Sequence, residues 1–161
     1  MKVPTAQVIV AKLRAILGRD VSLGRPAPAA LAKPALIATF FGDCEVVTCL
    51  CICDLAFAAH AAAALALFPV SRATDAIKAG SLGEDLQDCF HEVMNVLAPL
   101  LTEHLGEHAV LRSVYEGVSK VPPDVKGCLA ARPPWRTELQ VEVKGYGSGS
   151  LALLGVHPQP L

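Results

Sequence analysis

From Leu55 to Val70 the chain runs for sixteen residues without a charged side chain. A stretch of this kind leaves water, and its length limits how. It is shorter than the ~18–20 apolar residues that a membrane span needs, with His60 inside it and Pro69 near its end. Its alanine richness points instead to a closely packed buried helix, N-capped by Asp54, running through Leu67 and closed by Pro69. At the N-terminus, Lys12 and Arg14 interrupt the first apolar stretch, so no secretory signal is read there. The expectation is a soluble, cytoplasmic protein.

Around that helix there is material for one core. The chain has 161 residues, 53% of them apolar, and a mean hydropathy of +0.45, which excludes a disordered chain and predicts a single domain over 1–161. Aromatic residues make up only 5%, so Ala, Val and Leu must fill the interior. Fourteen basic residues against fifteen acidic ones leave no electrostatic footprint for nucleic acid. The charge is nevertheless uneven. Between Ala79 and Leu111 there is no Lys or Arg, while Glu84, Asp85, Asp88, Glu92, Glu103 and Glu107 all fall there. A charged partner of this segment should be basic.

Periodicity orders the remainder. Ala6–Leu17 reads as a short amphipathic helix stopped by Gly18, and the proline-rich stretch at about 25–34 as an irregular connection. Ala35–Phe41 and Glu45–Cys53, separated by a Gly42-Asp43 turn, read as a β-hairpin. Cys49, Cys51 and Cys53 share one face of its second strand and are read as small buried hydrophobes in a reducing compartment. A linker follows the alanine-rich helix, and a second long helix runs from Glu84 to Leu105, stopped by Gly106. Val110–Val114 reads as a strand and 119–136 as a loose loop bracketed by Pro122-Pro123 and Pro133-Pro134. Glu138–Lys144 and Ser150–Val156 form a second hairpin. The alternation of helices and hairpins predicts an α+β fold, whose open sheet edges invite pairing with a second copy.

The Glu84–Leu105 helix carries the chemistry. With Asp85 at zero and 100° per residue, Asp88, Glu92, Asn95, Pro99 and Glu103 fall between about −80° and 0°. Val93, Leu97, Phe90 and Met94 fall between about 80° and 180°. The acids and Asn95 therefore form a polar stripe opposite an apolar one. Glu92 and Asn95, three residues apart, are neighbours at about 5–6 Å between Cβ atoms. Pro99 removes the N–H that would bond the carbonyl of Asn95, so a backbone irregularity falls on the residue nominated for function. His104 and His108, with Glu103 or Glu107, have metal-ligand spacing. Gly106 ends the helix between them, and no metal is assigned.

The run Asp88-Cys89-Phe90-His91-Glu92-Val93-Met94-Asn95 has the form Asp or Ser, three residues, Glu, two residues, Asn. It resembles the signature of the CheC/CheX/FliY family of chemotaxis phosphatases. The order of elements from about Val8 to Val156 is similar to the CheX branch, with one such motif per chain. Met94 stands where the family usually has a small residue, and Ser113-Val114 occupy the place of the proline expected further downstream, the next proline after Pro99 being Pro122. The resemblance implies a CheX-like two-layer α+β domain, an antiparallel-rich sheet packed on long helices. It implies hydrolysis of the aspartyl phosphate on a CheY-like response-regulator receiver domain, with Asn95 orienting the attacking water and Glu92 pairing with the receiver's lysine. Asp85 and Asp88 would complete the partner-binding face. The Mg²⁺ would come from the receiver and none from this chain, and a homodimer is expected. The alternative within the same fold is a non-catalytic interaction module, as in flagellar switch proteins.

Overall fold

The computed structural model describes residues 2–25 and 35–156. The connection read at 25–34 lies, apart from Arg25, outside the described residues. In chain order the elements are α1 (Ala6–Leu17), β1 (Val21–Leu23), β2 (Ala35–Phe41), β3 (Val47–Asp54) and α2 (Leu55–Leu65). Then come α3 (Val70–Ala79), α4 (Glu84–Leu105), β4 (Val110–Glu116), a 3-10 turn (Val118–Lys120), α5 (Pro123–Ala130), β5 (Arg136–Val143) and β6 (Gly147–Gly155). The six strands form one antiparallel sheet in the order β1-β5-β6-β3-β2-β4. This is the α+β architecture that the periodicity predicts.

Both faces of the sheet are buried. On the first, Cys49, Cys51 and Cys53 of β3 and Leu36, Ala38 and Phe40 of β2 meet α1, α2 and α4 in the main core. Burial pushes the Cys49 and Cys53 thiols well above their ordinary range, as befits cysteines packed as hydrophobes. On the second face, Ile37, Leu50, Ile52, Ala152 and Leu154 pack with Val121 and Val125. That cover corrects the reading of 119–136 as a loose loop. Pro123 opens α5, where a missing N–H costs nothing, and α5 drops Val125 onto the sheet. The run Cys49-Leu50-Cys51-Ile52-Cys53 is apolar on both faces of its strand, the pattern of a strand covered on both sides.

The alanine-rich segment forms α2, capped as expected: Asp54 Oδ1 accepts the N–H of Phe57 at 2.8 Å. It ends at Leu65 rather than Leu67. Leu67 adopts φ 57°, its N–H reaches the Ala64 carbonyl at 3.2 Å, and that of Phe68 reaches the Ala63 carbonyl at 2.9 Å. This Schellman closure has a leucine where glycine is usual. The small side chains of α2 let it lie close to β6. A Cβ on Gly149 would sit 2.3 Å from the backbone nitrogen of Phe57.

Two further elements correct the sequence reading. The segment taken as a linker holds α3, whose Ala73 and Ala76 are buried. The strand β1 pairs with β5 through three residues, Val21 opposite Val143, and only Val21 of the three is buried. Elsewhere the predicted elements are found with small shifts: α4 has the predicted bounds, and β4 extends two residues further, to Glu116.

Candidate functional site

Helix α4 is long, anchored and two-faced. Gly83 precedes it, Glu84 and Asp85 sit in its first turn where the helix dipole favours acids, and Gly106 closes it at φ 75°. Leu86, Phe90, Val93, Met94, Leu97, Ala98, Leu100 and Leu101 are buried. Asp85, Asp88, Glu92, Asn95, Pro99 and Glu103 are all exposed. The stripe predicted from helical angles is therefore a solvent-facing row on a rod held by its opposite face. Met94 is fully buried, so its bulk is accommodated in the core and leaves the surface around Asn95 clear.

Glu92 and Asn95 stand one helical turn apart and both face outward. Among the described residues, the side chains of Asp88, Glu92 and Asn95 make no hydrogen bond or ion pair with the rest of the protein. Their polar atoms are left to water or to a partner. A carboxamide both donates and accepts, so it can hold a water molecule by two contacts without competing for its proton, whereas a carboxylate only accepts. The pair can therefore orient a water and receive a cation.

Asp85 differs from its neighbours. Arg72 of α3 reaches it, Nη2 to Oδ2 at 3.2 Å, while the same guanidinium lies 4.4 Å from the centre of the Phe68 ring. Both partners are largely exposed, which makes the ion pair a weak one. Arg72 nevertheless brings a positive charge to one end of a stripe whose own sequence has none. Nothing in the sequence of α4 announces it, because Arg72 comes from α3, a span that reads as a linker. The spacing of Ala73, Ala76 and Ile77 was the available signal for that helix.

Pro99 lies on the exposed row and leaves α4 continuous from Glu84 to Leu105. Having no N–H, it cannot bond the Asn95 carbonyl, which is left without its partner in the helical ladder. At the end of α4, His104 Nδ1 donates to the Leu100 carbonyl at 2.9 Å, and Thr102 Oγ1 accepts the N–H of Ala109 at 2.9 Å. Among the described residues, no three His, Cys, Asp or Glu side chains stand close enough together to hold a metal ion. No helix among them is long and apolar enough to cross a membrane.

No family model matches the sequence, and no curated protein is similar to it. Similarity appears in solved structures. The FliM middle domain of Vibrio alginolyticus aligns with a TM-score of 0.58 at 9% identity, over 94% of this chain and 88% of that one. A chain of the FliM–SpeE complex from H. pylori aligns with the same score and identity, over 94% of this chain and 81% of that one. A chain of the CheX–CheY–BeF3–Mg complex from Borrelia burgdorferi aligns at 0.43 and 11% identity, over 89% and 90%. The fold is thus that of FliM middle domains.

Proposed function

We propose that this protein is a CheX-like phosphatase that accelerates hydrolysis of the aspartyl phosphate on a response-regulator receiver domain. The observation that carries the reading is that Glu92 and Asn95 are exposed together, one turn apart on an anchored helix, with no partner of their own among the described residues. An acyl phosphate is already activated. A receiver that supplies Mg²⁺ and a lysine lacks only a water held in line with phosphorus. Asn95 enters the receiver's centre and orients that water. The oxygen of that water bonds to phosphorus as the bond from phosphorus to the aspartyl oxygen breaks, releasing the free carboxylate and inorganic phosphate, which carries away the water's hydrogens. Glu92 pairs with the receiver's lysine and fixes the approach, and Asp88 extends the acidic face. Asp85, held by Arg72, meets the partner at the margin.

The second reading is a non-catalytic interaction module of the same fold, favoured by the likeness to FliM middle domains and to chains of the FliM–SpeE and FliG–FliM complexes from H. pylori. In either case the open edge of β4 is the natural place for a second copy to extend the sheet, and a cytoplasmic homodimer is part of the proposal.

The test is loss of phosphate from phosphorylated CheY-type receivers, with wild type and with Asn95→Ala. The phosphatase reading expects wild type to outpace the receiver's own decay, and Asn95→Ala to lose about 10²-fold of that acceleration, the scale of misplacing one reactant. Complex formation without any acceleration would establish the binding module instead.

A further inference from the structure

Beside Asn95 the surface sinks into a groove of about 550 Å³ between α4 and the chain entering β4. Ala98, Pro99, Ala109 and Val110 line it. Val110 is 43% exposed, one of the few large apolar side chains left open to water. The one hydroxyl within, that of Thr102, is already engaged with the backbone of Ala109. The middle of the groove thus offers an apolar surface and little that can be hydrogen-bonded. Its rim is different. Asn95 stands at one end, Glu103 further along α4, eight residues on, or about 12 Å along the axis, and the exposed His108 on the side leading to β4. Among the described residues Glu103 has no ion-pair partner.

We infer that this groove anchors the same receiver, taking one aliphatic or aromatic side chain from a segment of the partner whose neighbouring Lys or Arg faces Glu103. The inference rests on the reading that Asn95 enters a receiver's reaction centre, and two observations carry it further. The first is continuity. Asn95 itself lines the groove, and an interface of ordinary size covers about 800 Å² per partner, a disc of about 16 Å radius. A domain that swallows Asn95 therefore covers the groove and Glu103 as well. Leaving an apolar hollow and an unpaired carboxylate beneath it would forfeit binding energy. The second is charge. From Ala79 to Leu111 the chain has six acids and no Lys or Arg, so the segment that fits here is apolar and basic. Docking and hydrolysis are then divided along one helix. The groove and Glu103 select the receiver, and Glu92 with Asn95 act on its phosphate.

Binding is measured with a CheY-type receiver domain held in its Mg²⁺–beryllofluoride form, against the whole protein and three variants at exposed positions. Val110→Asp is expected to weaken binding at least tenfold and Glu103→Lys at least fivefold. Glu142→Lys, the same charge change on β5, should stay within twofold of wild type. The methyl signals of Ala98 and Val110 should shift on adding the receiver to wild type. A receiver that binds wild type while Val110→Asp and Glu103→Lys remain within twofold of it overturns the groove and leaves the reading of Asn95 standing. Receivers that do not bind wild type at all overturn both.

Discussion

Replacing Pro99 by alanine separates what α4 needs for stability from what its exposed row is for. Pro99 sits six residues before the end of a 22-residue helix, with neighbours that are helical on both sides. It is exposed, so truncating its ring sacrifices little buried surface. The substitution restores one N–H to the ladder, and the carbonyl that receives it belongs to Asn95. One intramolecular hydrogen bond contributes about 1 kcal/mol. Full relief of the clash between the ring and that carbonyl would bring the total to ~3 kcal/mol. For a chain of this length each kcal/mol moves Tm by about 2–4 °C, so Pro99→Ala should melt about 2–12 °C above wild type. Thermal unfolding followed by circular dichroism at 222 nm reads this directly. In the dephosphorylation assay the same variant should keep wild-type speed, because α4 is already helical through Asn95 and the Asn95 side chain stays on the exposed row. An unchanged or lower Tm would refute the reasoning, showing that the ring costs the helix nothing where it stands.

Other perturbations probe the frame and the site independently. Gly149→Ala places a Cβ 2.3 Å from the Phe57 nitrogen and 2.4 Å from its Cα, backbone atoms that cannot swing aside, and should cost about 3 kcal/mol or more in urea unfolding. Gly127→Ala, with nothing within 4 Å and a helical setting in α5, should gain about 0.5–1 kcal/mol in the same experiment. His60 is buried beneath the β5–β6 turn, its Nδ1 3.1 Å from the Ser148 carbonyl, and burial lowers its pKa from the ordinary value. The neutral ring is thus favoured by folding. Its contribution is complete above the unfolded value of about 6.5 and is lost as pH falls through the lower folded one. The urea midpoint should drop between pH 7.5 and 5.5, and His60→Gln should flatten that component. Glu92→Ala and Asn95→Ala, at exposed positions without internal partners, should each leave stability within about 0.5 kcal/mol of wild type, as read by urea midpoints.

Periodicity made α1, α4 and both hairpins legible, because each buries one face and shows its pattern within its own span. It failed where the reason for an element lies elsewhere in the chain. The helix α5 exists to cover Leu50, Ile52 and Leu154, residues far away in sequence, and its own eight residues contribute one fully buried side chain. The strand β1 is held by β5 across more than a hundred residues. For α3, two alanines packed on α2 are too faint an apolar face beside the prolines and glycines that flank it. The site divides in the same way. The outward row of α4 follows from 100° per residue, whereas Arg72 reaches Asp85 from another helix and the groove needs Val110 from another element. Contacts between elements leave no local period to read.

This division also explains why the likeness to FliM middle domains leaves the activity open. Eight buried side chains hold α4 to the core, and all but Ala98, which lines the groove beside Asn95, lie on the face away from Glu92 and Asn95. Selection for the fold acts on that inner face, and the outer row is free to keep or lose a catalytic pair at almost no cost in stability. A fold match at 9% identity therefore reports on the fold alone. The information about function lies in what the outer row retains: an acid, an acid and an amide at positions 88, 92 and 95, none with a partner of its own among the described residues, on a helix without a single Lys or Arg. A row kept only for solubility has no need of an asparagine there. Asparagine is a poor helix former, and it adds no charge. Under the proposed function, Asn95, one turn from Glu92 and at the carbonyl that Pro99 leaves open, is the residue whose replacement tells a working surface from a merely wet one.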